Sequence, residues 1–285
     1  MAYDTFGMLS MAGKVAVVTG GTQGLGEAIA HLFADRGASG IVICGRNQDN
    51  GASVSSALAG KGCKSVYVQA DLERVEDCRK VIAETDRRFG KVDALINAAA
   101  LTDRGTIWNT SPDLFDSLFA VNVRAPFFLM QDAAKIMRRE GTQGTMVNII
   151  SMSGHGGQTF ITAYCASKGA LITLTKNVAF SLLRNGIRVN GLCIGWTDTP
   201  GEDRIRKKYH GVRNGWIEEA EAGLPFGRLI KPGEVARACA YLCTDESGLM
   251  TGSIIDFDQQ VLGCADSAPQ PPLQTAMEAT QYSAE

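Results

Sequence analysis

Residues 15–26 have the sequence VAVVTGGTQGLG, and this stretch decides the fold. Val15–Thr19 is a short apolar run, typical of a strand buried on both faces of a parallel sheet. The glycine-rich turn after it opens a predicted helix, Gly24–Asp35. Such glycines let backbone N–H groups approach a pyrophosphate, and the helix N-terminus adds partial positive charge. The stretch therefore predicts a nucleotide-binding turn, although ordinary turns also collect glycine.

The same alternation of strand and helix continues along the chain. The other predicted strands are Gly40–Cys44, Ser65–Gln69, Ala94–Asn97, Thr145–Ile150, Ile187–Leu192 and Ser253–Phe257. The other predicted helices are Gln48–Ala59, Val75–Arg88, Pro112–Arg139, Tyr164–Arg184 and Pro232–Leu242. This rhythm predicts an α/β fold, a single-domain Rossmann-type doubly wound parallel sheet flanked by helices on both faces.

The domain organisation follows from where the rhythm stops. We expect one domain over residues 14–262, an N-terminal arm over 1–13 and a C-terminal tail over 263–285. The tail holds three prolines among polar residues, a composition typical of an extended segment. Residues 199–224 are polar and follow a predicted strand, so they predict a flap with one or two short helices.

Composition excludes several classes of protein. The formal net charge of −2 provides no basic field for nucleic acid. The eight cysteines form no C-x-x-C pair and no Cys/His cluster with zinc spacing, so we expect reduced thiols and no metal. The N-terminus lacks the features of a secretory signal, and no apolar run is long enough to span a bilayer. We therefore expect a cytoplasmic protein with no membrane or nucleic-acid partner.

Tyr164 and Lys168 form the second informative pattern, at the start of a predicted helix. They are four residues apart, so they share one helix face. A phenol with a pKa of about 10 is a poor base at neutral pH, but a nearby ammonium lowers that pKa. Ser151 ends a predicted strand, where its hydroxyl can bind a substrate oxygen beside the phenol. Together they predict proton exchange with a substrate oxygen.

The end of the second predicted strand bears on the choice of cofactor. NAD-binding turns of this kind usually place an acidic residue there for the ribose 2′-hydroxyl. Here residues 43–47 read ICGRN, with no carboxylate before Asp49. Arg46 suits a 2′-phosphate, which favours NADP(H), with NAD(H) as the second choice. The alternative is that Arg46 only stacks on adenine or faces solvent.

These strings resemble the classical short-chain dehydrogenase/reductase family over about Lys14 to Leu262. The family's T-G-x-x-x-G-x-G element corresponds to residues 19–26, and its Y-x-x-x-K element to Tyr164 and Lys168. The resemblance implies the catalytic set Asn122, Ser151, Tyr164 and Lys168. It implies cofactor contacts from Gly20, Thr22, Gln23, Gly24, Leu25, Gly26, Arg46, Asp71, Leu72, Asn97, Ala98, Tyr164, Lys168 and Thr199. It also implies a homo-oligomer, a dimer or tetramer built on the long helices that contain Asn122 and Tyr164.

The chain departs from the family pattern at three elements. The family's N-N-A-G element is NAAA at residues 97–100, which removes no catalytic group. The usual Pro-Gly before the flap is Ile194-Gly195. The common Asp-Gly-Gly near the C-terminus is Asp258-Gln259-Gln260, where family members often form subunit contacts.

The residues between Ser151 and Tyr164 are expected to line a substrate pocket. Their polarity, with Trp196 beside the flap, favours a hydroxylated substrate such as a sugar or polyol, because buried polar groups reject substrates that leave them unpaired. The predicted substrate-binding residues are Ser151, Ser153, His155, Tyr164 and Trp196. For His155 a solvated loop position is an equal alternative. The flap carries charges of both signs, which are typical of a solvated helix face.

These observations predict an NAD(P)-dependent oxidoreductase that interconverts a secondary alcohol and a carbonyl on a small molecule. One alternative is an NADPH-dependent ketone or 3-oxoacyl reductase, which the polar pocket disfavours. A more distant alternative is a non-catalytic NADP(H) sensor. A sensor would be expected to lose Ser151, Tyr164 or Lys168, and all three are present.

Overall fold

The computed structural model describes residues 9–264, and within them the seven strands form one parallel sheet. Most of the predicted N-terminal arm and C-terminal tail lie outside the described residues. The strands are β1 Val15–Thr19, β2 Gly40–Gly45, β3 Lys64–Gln69, β4 Ala94–Asn97, β5 Thr145–Ile149, β6 Arg188–Ile194 and β7 Ile254–Phe257. Their order is β3-β2-β1-β4-β5-β6-β7, and every neighbouring pair is parallel. The predicted fold class is confirmed.

The helices cover both faces of this sheet. They are α1 Gly24–Asp35, α2 Gln48–Gly60, α3 Val75–Phe89, α4 Pro112–Phe119, α5 Ala125–Arg139, α6 Thr162–Leu182, α7 Pro200–His210, α8 Trp216–Ala222 and α9 Pro232–Cys243. The first core cluster packs α1, α2 and α9 on one face, and the second packs α3, α5 and α6 on the other. Successive residues of β1 alternate between the clusters, with Val17 in one and Val18 in the other. The strand is apolar throughout because both faces are covered.

The predicted helix Pro112–Arg139 is helical throughout but contains a π-helical turn, Ala120–Arg124, between α4 and α5. The Ala125 N–H bonds the Ala120 carbonyl, five residues back. Such turns insert one residue into a helix and occur frequently at functional sites. This one contains Asn122.

The flap, residues 199–224, folds as α7 and α8 with a connecting loop. Thr199 caps α7, because its side-chain oxygen accepts a hydrogen bond from the Glu202 N–H at 3.1 Å. Within residues 9–264, no helix combines the length and apolar character needed to cross a bilayer.

The sheet positions a site between β1 and β4. β1 and β4 are neighbours in the sheet, although β2 and β3 lie between them along the chain. The chain therefore continues from β1 towards one edge of the sheet and from β4 towards the other edge. A crevice opens at the carboxyl ends of strands at such a reversal, where open α/β sheets bind their ligands.

Candidate active site

The glycine turn after β1 is shaped for a close backbone approach. Gly20 has φ of +65°, a left-handed conformation that side chains disfavour. A Cβ atom on Gly26 would lie 2.4 Å from the Gly20 carbonyl oxygen, so only glycine fits there. Gln23, the residue before α1, provides no side-chain cap, which leaves first-turn N–H groups available to an anion.

A cleft of about 280 Å³ begins at this turn and runs along the carboxyl ends of the strands. Most of the predicted cofactor residues line it. They are Gly20, Thr22, Gln23, Gly24, Leu25, Gly26, Arg46, Asp71, Leu72, Ala98 and Thr199. The glycine turn, the exposed cation and the uncapped helix end together fit a dinucleotide with its pyrophosphate at α1.

Arg46 lies at the end of the cleft where an adenosine ribose would bind. Its side chain is exposed, and within the described residues no carboxylate forms an ion pair with it. Asp71 lies across the cleft, and its carboxylate accepts a hydrogen bond from the Glu73 N–H at 3.1 Å. The guanidinium is therefore available to an anionic group in the cleft.

Asn97 differs from the other predicted cofactor residues, because its side chain is buried beneath the cleft. Its Nδ2 donates to Asn148 Oδ1 at 2.8 Å, and Asn148 in turn donates to Thr175. This chain of polar side chains links β4, β5 and α6. The side chain of Asn97 therefore holds the sheet to α6, and any cofactor contact at this position falls to the backbone.

Ser151, Tyr164 and Lys168 come together at the end of β5. The Ser151 hydroxyl lies beside the Tyr164 phenol and favours its ionised form. Lys168 Nζ lies 5.7 Å from the centroid of the Tyr164 ring and donates to the Ile149 carbonyl at 2.9 Å. The three side chains predicted to be catalytic thus converge because β5 ends beside the first two turns of α6.

The pKa of Tyr164 differs from the lowered value predicted from its proximity to Lys168. Burial raises the pKa of Tyr164 to about 12, although the Ser151 hydroxyl and the Arg104 guanidinium oppose the rise. Burial also lowers the pKa of Lys168 to about 8. Desolvation therefore dominates the pKa of both groups. In this state the Tyr164 phenol is protonated at neutral pH and can donate a proton to a carbonyl.

Asn122 acts from the π-helical turn by bonding two other elements. Its Nδ2 donates to the Leu101 carbonyl and to Ser167 Oγ, both at 3.0 Å, and its Oδ1 accepts from the Leu101 N–H at 2.9 Å. Ser167 Oγ donates to the Tyr164 carbonyl at 2.7 Å. Asn122 therefore fixes the loop after β4 against the turn of α6 that carries Tyr164.

The buried Lys168 ammonium predicts a measurable pH dependence of stability. Since the pKa of Lys168 is about 8 in the fold and that of an exposed lysine is 10.5, the unfolded chain binds more protons between these values. Stability linked to this group therefore rises with pH across that window. Comparing wild type with Lys168→Met by denaturant unfolding should show about 2 kcal/mol of relative gain for wild type between about pH 8 and 10.

Lys176→Met provides the matched control for this comparison, because Lys176 is exposed on the same helix. It should show no such slope. A pH dependence identical in wild type and Lys168→Met would contradict the assignment of a buried ammonium.

His155 is positioned against β7 rather than in contact with Tyr164. Its Nε2 lies 2.9 Å from Asp256 Oδ1, and the ligand atoms of His155, Cys193 and Asp256 lie within 4.8 Å of one another. Burial and the Asp256 carboxylate raise the pKa of the Cys193 thiol to about 12, so the thiol stays protonated at neutral pH. The three side chains then form a hydrogen-bonded cluster. Sequence spacing did not predict this grouping. Ser153 lies nearby, its N–H bonded to Ser151 Oγ at 3.1 Å.

Trp196 belongs to a polar cluster that joins the flap to the site. Its Nε1 donates to Glu202 Oε1 at 3.1 Å, and its ring stacks on Trp216 with centroids 5.7 Å apart. The Arg206 guanidinium lies 4.0 Å from the Trp196 centroid. The solvated-face interpretation therefore holds for Lys207 and Lys208, which pair at the surface, but is wrong for Arg206.

Arg104 is a buried residue near Tyr164 that sequence reasoning missed. Its guanidinium pairs with Glu202 at 3.4 Å and lies 5.5 Å from the centroid of the Phe160 ring. It follows β4 in an irregular loop with no periodic pattern, so no sequence signal distinguished it from a surface arginine. The pairing of this loop with residues 160–162 brings it to the site.

Comparison with known proteins supports one family. A family model described as "Enoyl-(Acyl carrier protein) reductase" matches residues 20–259. Sorbitol dehydrogenase of Cereibacter sphaeroides is 29% identical, with 88% of this chain and 98% of that protein covered. Galactitol 2-dehydrogenase of Agrobacterium fabrum is 30% identical, with coverages of 86% and 96%. The 3-oxoacyl-[acyl-carrier-protein] reductase FabG of Thermotoga maritima is 31% identical, with coverages of 88% and 98%.

A solved structure agrees with these relatives. A short-chain type dehydrogenase/reductase from Mycobacterium marinum superposes with a TM-score of 0.80 at 28% identity, over 88% of this chain and 96% of that one. Enzymes of this group use NAD(P)(H) and act on hydroxyl and carbonyl groups. The matching sequence, fold and cleft lead to one conclusion: the chain belongs to the short-chain dehydrogenase/reductase family of oxidoreductases.

Proposed function

We propose that this enzyme interconverts a secondary alcohol and a carbonyl on a hydroxylated small molecule of the sugar or polyol class, using NADP(H). The observation that carries the proposal is the placement of the Ser151 hydroxyl beside the Tyr164 phenol at the end of β5. This pair lies at the carboxyl edge of the sheet, where the dinucleotide cleft also opens. An oxygen-binding pair beside a cofactor cleft is what alcohol–carbonyl exchange requires.

In the proposed mechanism, Ser151 and Tyr164 bind the reacting oxygen of the substrate. In the reductive direction the protonated Tyr164 phenol donates its proton to the carbonyl oxygen as that oxygen gains charge. In the oxidative direction the Tyr164 phenol must first lose its proton to solvent, and the phenolate then accepts the alcohol proton. A Lys168 ammonium nearby favours that phenolate. A bound nicotinamide supplies or accepts the hydride at the substrate carbon. Asn122 positions the Tyr164 turn through Ser167.

The choice of a hydroxylated substrate is supported by the polar groups around Tyr164. Arg104, Glu202 and Trp196 form a hydrogen-bonded cluster between the flap and the loop after β4. Such groups favour a substrate that satisfies them. The sorbitol and galactitol dehydrogenases among the relatives act on molecules of this class, as their names state.

The choice of NADP(H) is supported by Arg46. Replacing it with alanine should raise the KM for NADP⁺ by about 10- to 100-fold and leave the KM for NAD⁺ nearly unchanged, because one charge-assisted contact to a 2′-phosphate is lost. Steady-state kinetics with both cofactors would measure this. Arg138→Ala removes an exposed arginine at the end of α5 and serves as the control. An unchanged KM for NADP⁺ in Arg46→Ala would contradict the assignment.

Reduction of a 3-oxoacyl thioester is the second candidate function. It is favoured by the FabG relative and by the description of the matching family model. Against it, the cluster around Glu202 offers charged and hydrogen-bonding groups rather than an apolar surface for an acyl chain. A thioester substrate should therefore be turned over more slowly than a polyol.

We also propose a homo-oligomer in a reducing compartment such as the cytoplasm. Assembly on the long helices is supported by exposed aromatic side chains, since Phe115, Phe127 and Phe180 are 44%, 42% and 77% exposed. The compartment is supported by eight free cysteines, seven of which are at least partly buried. Sedimentation at several concentrations would test the assembly, and a monomer at every concentration would contradict it.

The first experiment on function is a spectrophotometric panel of sugars, polyols and simple secondary alcohols with NAD⁺ and NADP⁺. The same panel includes reduction of a 3-oxoacyl thioester with NADPH. We expect turnover of a sugar or polyol, lost in Tyr164→Phe. Exclusive turnover of the thioester would support the second candidate function instead.

A further inference from the structure

Arg104 and Arg206 bring surplus positive charge to the predicted substrate pocket. Within residues 9–264 both pair with the same carboxylate oxygen, Glu202 Oε1, at 3.4 Å from Arg104 Nη2 and 3.0 Å from Arg206 Nε. The three side chains are only 11%, 22% and 18% exposed. Two guanidinium groups against one carboxylate leave a net charge of about +1, which is costly where water is largely excluded.

Neighbouring carboxylates do not balance this charge, because each forms an ion pair with a lysine. Asp103 pairs with Lys208 at 2.7 Å, and Asp203 pairs with Lys207 at 2.9 Å. Both lysines lie on the exposed side of α7, with side chains 60% and 45% exposed. The cluster of Arg104, Arg206 and Glu202 therefore keeps its surplus charge.

Arg104 also has unused hydrogen-bonding capacity. Its Nε is buried and, among the described residues, has no hydrogen-bond partner. Its two other bonds, to Thr102 and Glu202, are long at 3.4 Å each. The buried His210 Nε2 likewise lacks a partner among these residues, and its ring packs on Phe160. Unsatisfied buried donors of this kind point to a ligand that completes them.

The backbone holds Arg104 next to the reaction centre. The Gly105 N–H donates to the Phe160 carbonyl at 2.9 Å, and the Thr162 N–H donates to the Gly105 carbonyl at 3.1 Å. Thr162 begins α6, two residues before Tyr164. A group bound by Arg104 would therefore belong to the molecule whose oxygen contacts Tyr164.

We propose that Arg104, supported by Arg206, binds a carboxylate of the substrate, so that the preferred substrates are sugar acids such as aldonates rather than neutral polyols. The inference rests on the proposed alcohol–carbonyl function. A carboxylate carries one negative charge, which matches the surplus of the cluster, and its planar oxygens suit a guanidinium. A neutral polyol would leave the charge of Arg104 uncompensated.

Binding without turnover tests this proposal directly. Calorimetric titration of Tyr164→Phe saturated with cofactor compares gluconate with sorbitol, and galactonate with galactitol. Each pair shares a carbon skeleton and differs by a carboxylate in place of a hydroxymethyl group. At least one aldonate should bind about tenfold more tightly than its alditol. Adding Arg104→Gln to this variant should weaken binding of that aldonate by about 30-fold, because charge-assisted hydrogen bonds are lost.

Two further variants keep the test falsifiable. Arg213→Gln removes an exposed cation from the loop after α7 and should preserve the preference. Arg206→Gln should reduce it, and an unchanged cofactor affinity checks that each variant is folded. Weaker or equal binding of both aldonates, or a preference that survives Arg104→Gln, would overturn the carboxylate site. Failure of the proposed alcohol–carbonyl function would give a different result, because wild type would then oxidise neither the aldonates nor the alditols.

Discussion

We expect Tyr164→Phe to lower kcat/KM by about 10³-fold on the best alcohol substrate, because general acid–base catalysis contributes about 10²- to 10⁴-fold. The substitution removes only the hydroxyl that lies beside Ser151 and is proposed to exchange a proton with the substrate. The ring, its packing and the neighbouring Lys168 remain. Steady-state rates of cofactor reduction, with cofactor affinity measured by fluorescence titration, check this.

The control for this variant is Tyr241→Phe, which removes an equivalent hydroxyl from a side chain 38% exposed on α9. It should retain full activity. If Tyr164→Phe kept near-normal turnover, the proton would have to reach the substrate oxygen by another route, and the catalytic assignment would be wrong.

We expect Gly26→Ala to weaken binding of NAD⁺ and NADP⁺ alike by about 5- to 150-fold. The new Cβ atom would lie 2.4 Å from the Gly20 carbonyl oxygen and 3.0 Å from Gly21 Cα. Since both are backbone atoms of the glycine turn, relief of the clash must move the turn itself and cost about 1–3 kcal/mol. Equilibrium binding of each cofactor, together with a thermal melt, separates lost affinity from lost fold.

Gly60→Ala serves as the control for the glycine turn, because a Cβ atom there has no heavy atom within 4 Å. It lies at the end of α2 and should change neither affinity nor melting temperature by much. Normal cofactor binding by a folded Gly26→Ala protein would contradict the assignment of the turn as the pyrophosphate site.

Much of the fold followed from local patterns, because a doubly wound sheet repeats the same unit. Each buried strand is an apolar run, and each predicted strand agrees with the structure to within about two residues. The π-helical turn was not predicted, since Ala120–Arg124 keeps the apolar spacing of an ordinary helix. Its position depends on the contacts of Asn122 with Leu101 and Ser167, which are distant in sequence.

The proximity of Ser151, Tyr164 and Lys168 was predictable because Tyr164 and Lys168 share one helix and Ser151 follows the strand beside it. The pKa of Tyr164 was not, because burial dominates it and burial depends on the packed fold. The charged cluster was missed for a related reason. Arg104 and Glu202 are 98 residues apart, and sequence alone showed the flap charges as nearly cancelling.

The most direct test of the central claim follows one hydrogen atom. The enzyme is given its cofactor and the alcohol that it oxidises fastest, deuterated at the carbon bearing the reacting hydroxyl, and the reduced cofactor is analysed by mass spectrometry. We expect deuterium on the nicotinamide with wild type and almost none with Tyr164→Phe over the same time. Reduced cofactor without deuterium, or equal labelling by both proteins, would contradict hydride transfer coupled to proton exchange at Tyr164.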